Sequence, residues 1–418
     1  MAQSVMFLMT CAALAGGLMT LWGSWYLITA VMSWRKPMDY GRHKPTTRFA
    51  VVIAARNEAL VIPQLVGSLM EQNYPRELYD VWVIPNNCTD NTGEAARQAG
   101  ARVLDCTVPV KSKGEVLRFT YRSLMGKGYD AFVVFDADNV VHPDFLREMN
   151  NAYRAGARAA QGYRDSKNPY DTAVSGCSSI YYWMMNRFHS QGKAGMGLSA
   201  LINGTGFMVA ASTLEAMGGW QTHTISEDLE LTVRCAMAGV KVWWAPKAIT
   251  YDEQPLSMSE SVKQRKRWCS GTLQVSQDYL PQVGRGLATP QGGLLTDLGS
   301  TMLILPYQVA ALGNLLLAAL AAGMATGRFS PLAFVGMLVL QLGMTALGST
   351  AAAALVITLE DRWDSRLLPA LGLYWLFVFS WLPITLGAYR RKTTVWEEIR
   401  HTRSMNPMAI PSGRKVSF

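Results

Sequence analysis

Along the first 33 residues no side chain is acidic or basic, and the apolar run from about Val5 to Met32 is followed, not preceded, by Arg35 and Lys36. A secretory signal has the opposite order and a shorter apolar core, so the pattern predicts an uncleaved helix long enough for a hydrocarbon layer of about 30 Å. Trp22, Trp25 and Trp34 fall near one interface. Arg35, Lys36, Arg42, Lys44 and Arg48 crowd the exit, which by the positive-inside rule places the N-terminus outside and the polar domain beyond it in the cytoplasm.

A polar middle from Thr46 to Gly286 alternates short apolar runs with helical patterns. Phe49 to Ala54, Val81 to Ile84, Ala101 to Leu104 and Ala131 to Phe135 have strand length, and helices are predicted from about Ala59, from Asn91 to Gly100 and from Glu115 to Met125. That alternation predicts an α/β domain around a buried, mostly parallel, Rossmann-like sheet. No glycine-rich dinucleotide fingerprint or P-loop follows a strand. Three further apolar stretches come near Leu298 to Gly323, Pro331 to Leu359 and Leu367 to Tyr389, with Asp297 as the ionisable residue at their edge. Helices so poor in intramembrane charge suit an anchor or a path for neutral cargo better than an ion-coupled transporter.

Of 418 residues 50% are hydrophobic and 17% charged, which excludes a disordered chain and fits a membrane protein with a sizeable soluble part. Six cysteines without a C-x-x-C pair and five histidines without an H-x-x-x-H pair argue against a zinc site or a disulfide framework. The net charge of +9 lies at the membrane boundaries with no basic-aromatic platform in the middle, so nucleic acid is not the expected partner. Three spans after a cytoplasmic domain would put the tail outside, yet Arg390, Arg391, Lys392, Arg400, Arg403, Arg414 and Lys415 outnumber Glu397 and Glu398 there by five. Either one stretch lies in the interface or the charge rule fails, and the reading adopted is a cytoplasmic tail.

Candidate chemistry gathers where the strands end, since ligands of such sheets collect at the carboxyl edge. Arg56-Asn57-Glu58, Asn86 to Asp90 and Asp136-Ala137-Asp138 each close a strand. Asp136 and Asp138 alternate on one side of an extended segment, and two close carboxylates call for Mg²⁺ or Mn²⁺ bridging to a diphosphate, or simply end a solvated turn. Ser226-Glu227-Asp228 reads as a capped helix start and leaves Asp228 available as a general base. Gln264, Arg267 and Trp268 share one helix face that offers an amide, a guanidinium for phosphate and a ring for a sugar. A basic helix lying on anionic lipid is the competing reading of that segment.

In this order the motifs D-x-D, [ST]-E-D and Q-x-x-R-W, followed by apolar helices, resemble the membrane-integrated family-2 glycosyltransferases that include cellulose, hyaluronan and chitin synthases. The resemblance covers about Ala50 to Gly271. It implies a GT-A fold, a UDP-sugar donor, a divalent metal, inversion at the anomeric carbon, and a growing polysaccharide acceptor passed across the inner membrane, with secretion partner proteins possible. It assigns Arg56, Glu58, Asn86, Lys113, Asp136, Gln264 and Arg267 to the donor, Asp138 with Asp136 to the metal and Asp228 to the base. Trp268, Asn203, Gly204, Thr205 and Glu227 go to the acceptor end. The family usually has Asp where Asn86 stands, which puts base preference in question. The division it implies is an anchor at 1–40, a cytoplasmic catalytic domain at 45–286, interfacial and transmembrane helices at 290–392 and a basic tail at 393–418 of a multi-pass protein. Two alternatives stand beside a polymerase: a transferase adding one sugar to a polyprenyl phosphate or glycolipid, and a membrane receptor or transporter that only binds a nucleotide sugar.

Overall fold

The strand Phe49–Ala55 (β1) shows why this chain builds a covered sheet. Phe49, Val51 and Ile53 pack into one apolar cluster and Ala50 and Val52 into another, so both faces are buried. Helix Ile62–Met70 covers the first face with Ile62, Leu65, Val66 and Leu69, the spacing of one helical stripe, each side chain contributing roughly 1.5 to 3 kcal/mol. Helix Lys113–Leu124 covers the second with Val116, Leu117, Tyr121 and Leu124, and Ser112 caps it by accepting from the Glu115 amide. The structure is a computed structural model and describes residues 2–303, 314, 323 and 331–390.

The other strands are Tyr79–Pro85 (β2), Arg102–Val103 (β3), Ala131–Asp136 (β4), Val140–Val141 (β5), Ala159–Ser166 (β6), Phe207–Ala210 (β7) and Val242–Asp252 (β8). They form one sheet in the order β3-β2-β1-β4-β7-β6-β8-β5. The first four are parallel, as the sequence predicts, and Ala54 sits level with Ile84 and Asp136 so that three strands end together. β7 then runs antiparallel to β4 and β6, and β5 antiparallel to β8, so the sheet is mixed while most pairings stay parallel. Asn57 and Asn87 turn the chain off the ends of β1 and β2 in the left-handed region, which asparagine tolerates.

The N-terminal segment is a helix over Ala2–Met32 that meets the α/β domain near its end, where the Gln191 side chain donates to the Ser33 carbonyl at 2.7 Å. Among the described residues three helices are long and apolar enough to cross a membrane, at Met9–Met32, Leu342–Leu359 and Ser365–Arg390. Of the stretch expected at Leu298 to Gly323 mainly the start is described, in helix Gly292–Met302. There Asp297 is paired with Lys193 at 2.9 Å, both side chains buried, which neutralises the acid at that boundary. The basic tail expected at 393–418 lies outside the described residues. After helix Pro331–Leu359 the chain docks on β6, where Tyr163 donates to Glu360 at 2.7 Å and Arg362 pairs with Asp165.

Candidate active site

The strand ends and two loops close on one cavity, lined by Arg56, Glu58, Lys113, Asp136, Asp138, Arg164, Asn203, Gly204, Glu227, Asp228, Glu253, Gln264, Arg267 and Trp268 among others. Residues that the sequence places in three separate motifs therefore share one space. Two predicted members stand behind the wall. Asn86 is buried, its amide nitrogen donates to the Ala55 carbonyl at 2.9 Å, and its oxygen accepts from the Arg56 guanidinium at 2.9 and 3.2 Å, so it aims Arg56 into the cavity. Thr205 is also buried; its hydroxyl accepts from the Asp136 amide at 3.1 Å and donates to Asn139.

Lys113 is the hub. From the first turn of its helix the ammonium reaches Asp136 at 2.5 Å, the Gly204 carbonyl at 2.6 Å and Glu227 at 3.5 Å. Burial alone would raise Asp136, but the Lys113 charge, with Arg164 and Arg267 beyond it, holds the carboxyl below its ordinary range. Burial lifts Glu227 to about 7 despite Lys113, and burial likewise raises Asp228, with Asp136 adding repulsion. A carboxylate that is reluctant to stay ionised is a better proton acceptor at neutral pH.

Helix Glu227–Met237 carries this acidic turn, but Ser226 does not cap it as the sequence suggests; no side-chain cap is made there. The Ser226 hydroxyl instead packs where a Cβ on Gly271 would come within 1.9 Å, so glycine at 271 is what lets helix Met258–Gly286 press its Gln264, Arg267 and Trp268 against the acidic turn. Gly204 sits at φ +92° with its missing Cβ 3.4 Å from the Asp228 carboxylate, and any side chain there would intrude between Asp228 and Asp136. Trp268 stacks on Tyr181 at 6.3 Å and on Trp381 at 6.2 Å, so this wall of the cavity is shared with an apolar C-terminal helix.

Arg164, in β6, is a site residue that motif reading misses. It is held by Asp252 at 2.7 Å, donates to the Asn203 carbonyl at 2.7 Å and lies 4.2 Å over the Tyr182 ring. The available signal is an arginine inside a strand-like run, a position tolerated only with a partner. Asp252 and Glu253, at the end of β8, carry no motif either; burial pushes Asp252 up to about 6.

The donor set fits a hard divalent cation. Among the described residues no group of three or more His, Cys, Asp or Glu forms a complete cage. Asp136 and Asp138 nevertheless face one cavity beside Glu253, and Mg²⁺ or Mn²⁺ is commonly held by one or two carboxylates with substrate phosphates supplying the rest. The buried Asp252 Oδ1 has no hydrogen-bond partner among the described residues, so acceptor capacity remains at this edge.

Residues 45–271 match the family model described as "Glycosyltransferase like family 2". A probable glycosyltransferase, YdaM of Bacillus subtilis, is 28% identical over 268 residues, 60% of each chain. The beta-monoglucosyldiacylglycerol synthase of Synechocystis is 26% identical over 253 residues, 56% of this chain and 50% of that protein. The matched segment thus spans 50 to 60% of these relatives' length. Among solved structures, the mannosyltransferase PcManGT of Pyrobaculum calidifontis, in complex with GDP-Man and Mn²⁺, superposes with a TM-score of 0.61 at 19% identity, covering 86% of this chain and 99% of its own. The sheet, the cavity at its carboxyl edge and a match over more than half the chain agree: this protein has the GT-A fold and belongs to the family-2 glycosyltransferases.

Proposed function

We propose that this enzyme transfers a single sugar from a UDP-sugar to the hydroxyl of a membrane lipid, inverting the anomeric carbon, on the cytoplasmic side of the membrane. The observation that carries the reading is the acceptor wall. Trp268 reaches the cavity from the Q-x-x-R-W helix and stacks on Trp381 of the apolar helix Trp381–Arg390, so the ring offered to an acceptor is backed by an apolar helix. Relatives from Synechocystis and Nostoc carry the name beta-monoglucosyldiacylglycerol synthase, which favours one addition to a lipid over the polymer expected from Q-x-x-R-W.

In this reading Arg56, Glu58 and Lys113 line the nucleotide side, and Gln264 and Arg267 face the diphosphate. Asn203, Gly204 and Glu227 flank the acceptor hydroxyl, with Thr205 bracing their loop. Asp228 takes the hydroxyl proton as the new bond from oxygen to the anomeric carbon forms and the bond from that carbon to the diphosphate oxygen breaks, releasing UDP. Arg267 lies where negative charge gathers on the leaving group, the place where a fixed cation lowers the barrier most. Asp138, with Asp136 beside it, would hold Mg²⁺ or Mn²⁺, which when bound neutralises diphosphate charge.

The test is UDP release by the purified protein in lipid nanodiscs with Mg²⁺ or Mn²⁺ and a panel of UDP-sugars, with and without diacylglycerol. Release that rises with diacylglycerol is expected. Release that is the same at every lipid composition would refute a lipid acceptor.

A further inference from the structure

The stretch Ser365–Arg390 is apolar and long enough to span a bilayer, yet its packing points elsewhere. It runs as helices Leu368–Phe379 and Trp381–Arg390 joined at Ser380, whose backbone stays helical and whose N–H still donates to the Leu376 carbonyl at 2.9 Å. Both lie on parts of the catalytic region. The Cys177 thiol, on helix Ala173–Met184 between β6 and β7, donates to the Ala370 carbonyl at 3.3 Å, and Tyr374 donates to the Met184 sulfur at 3.1 Å. The second piece sets Ile384 and Ala388 against Cys269 and Leu273 of the Q-x-x-R-W helix.

Arg265 anchors the stretch at its midpoint. It is 1% exposed, and one guanidinium nitrogen donates to the Phe377 carbonyl at 3.1 Å and to the Ser380 hydroxyl at 2.6 Å. The same guanidinium lies 4.3 Å over Phe377 and 5.4 Å over Trp381. A spanning stretch would carry this arginine at the bilayer midplane, where charge is most costly. Leu368, Leu373, Leu376, Leu386 and Tyr389 remain exposed on the outer side, a face suited to the hydrocarbon just below one membrane surface.

We infer that Leu368–Arg390 does not cross the membrane but lies along its catalytic side as a two-piece gate, and that Arg265 is a positioning residue that holds Trp381 against Trp268 where the acyl-bearing acceptor enters. The gate's acceptor role rests on the lipid-acceptor reading; its placement does not. A stretch that stays on one side also removes the topological conflict posed by the basic tail.

The experiment uses the full chain in nanodiscs, with Cys11, Cys88 and Cys106 replaced by serine and spin labels at Leu373→Cys and Leu386→Cys. Thirteen residues separate the labels, so a crossing helix places them about 20 Å apart in depth, whereas the gate places them at nearly the same depth. A separation of that size overturns the proposal. In parallel, Arg265→Met is expected to raise the KM for diacylglycerol at least tenfold with little change in binding of UDP with Mn²⁺, and Arg265→Lys to recover part of the loss. Unchanged KM in a folded Arg265→Met protein overturns the positioning role, and Arg265→Lys, which keeps the charge, supplies the same reading should Arg265→Met not fold. Equal depths together with no use of diacylglycerol by the parent enzyme would defeat the lipid-acceptor reading while leaving the placement standing.

Discussion

Replacing Lys113 with methionine removes the ammonium that contacts Asp136 and Glu227 while keeping most of the side chain's volume. Two unit charges about 4 Å apart interact by about 4 kcal/mol at the effective dielectric near a protein surface, and the Lys113 contacts are shorter than that. Water entering the cavity and relaxation of the carboxylates recover part of this, which brings the cost to the roughly 3 to 5 kcal/mol typical of breaking a buried pair. The acidic cluster should then hold its protons to higher pH. The sign comes from the charge: without the cation Glu227, already near 7, stays protonated through neutrality, and Asp228 rises further from its raised position. A base is useful only when ionised, so Lys113→Met should lose about 10² to 10³ in kcat/KM at pH 7 and regain part of it as pH rises. The assay is the pH profile of kcat/KM between pH 5 and 9, on protein whose folding is checked by thermal melting. An acid limb at the parental position, with parental activity at pH 7, would refute the electrostatic account of the cluster.

Asp228→Asn should lower turnover by about 10² or more and leave binding of UDP with Mn²⁺ near normal by calorimetry, since a general base contributes in the transition state; weakened nucleotide binding with parental turnover would place Asp228 in the donor pocket instead. Trp268→Ala should cost roughly 1 to 3 kcal/mol in acceptor use, seen as a higher KM in the folded, size-exclusion-purified fraction, and Trp268→Phe should keep part of the stack; parental specific activity in that fraction would refute an acceptor wall. Asp138→Asn should abolish turnover and weaken Mn²⁺ binding, and EDTA should silence the parent, whereas full activity in excess EDTA would rule out the metal.

The parallel half of the sheet is legible in the sequence because β1 and β4 are buried on both faces and, with β2, read as short apolar runs. β5 to β8 are not, since Gln161, Arg164 and Asp165 interrupt β6 with polar side chains that find partners only in the folded chain. The site residues that belong to spaced motifs can be found in advance; Arg164 and Asp252 cannot, because their pairing joins two strands 88 residues apart. Asn86 shows the same limit. Its position at a strand end is readable, but only the structure shows that its amide donates to Ala55, a bond that the family's usual aspartate could make only if protonated. Hydropathy likewise marks Ser365–Arg390 as apolar but cannot register the buried arginine that binds its midpoint.

The most direct test of lipid glycosylation at this site is the mass of the product. Purified protein in nanodiscs is given the UDP-sugar that supports release, with diacylglycerol, and the whole reaction is analysed by mass spectrometry. One sugar added to diacylglycerol, absent with Asp228→Asn, is the predicted result. A ladder of sugar polymers, or free sugar with unmodified lipid, would contradict it.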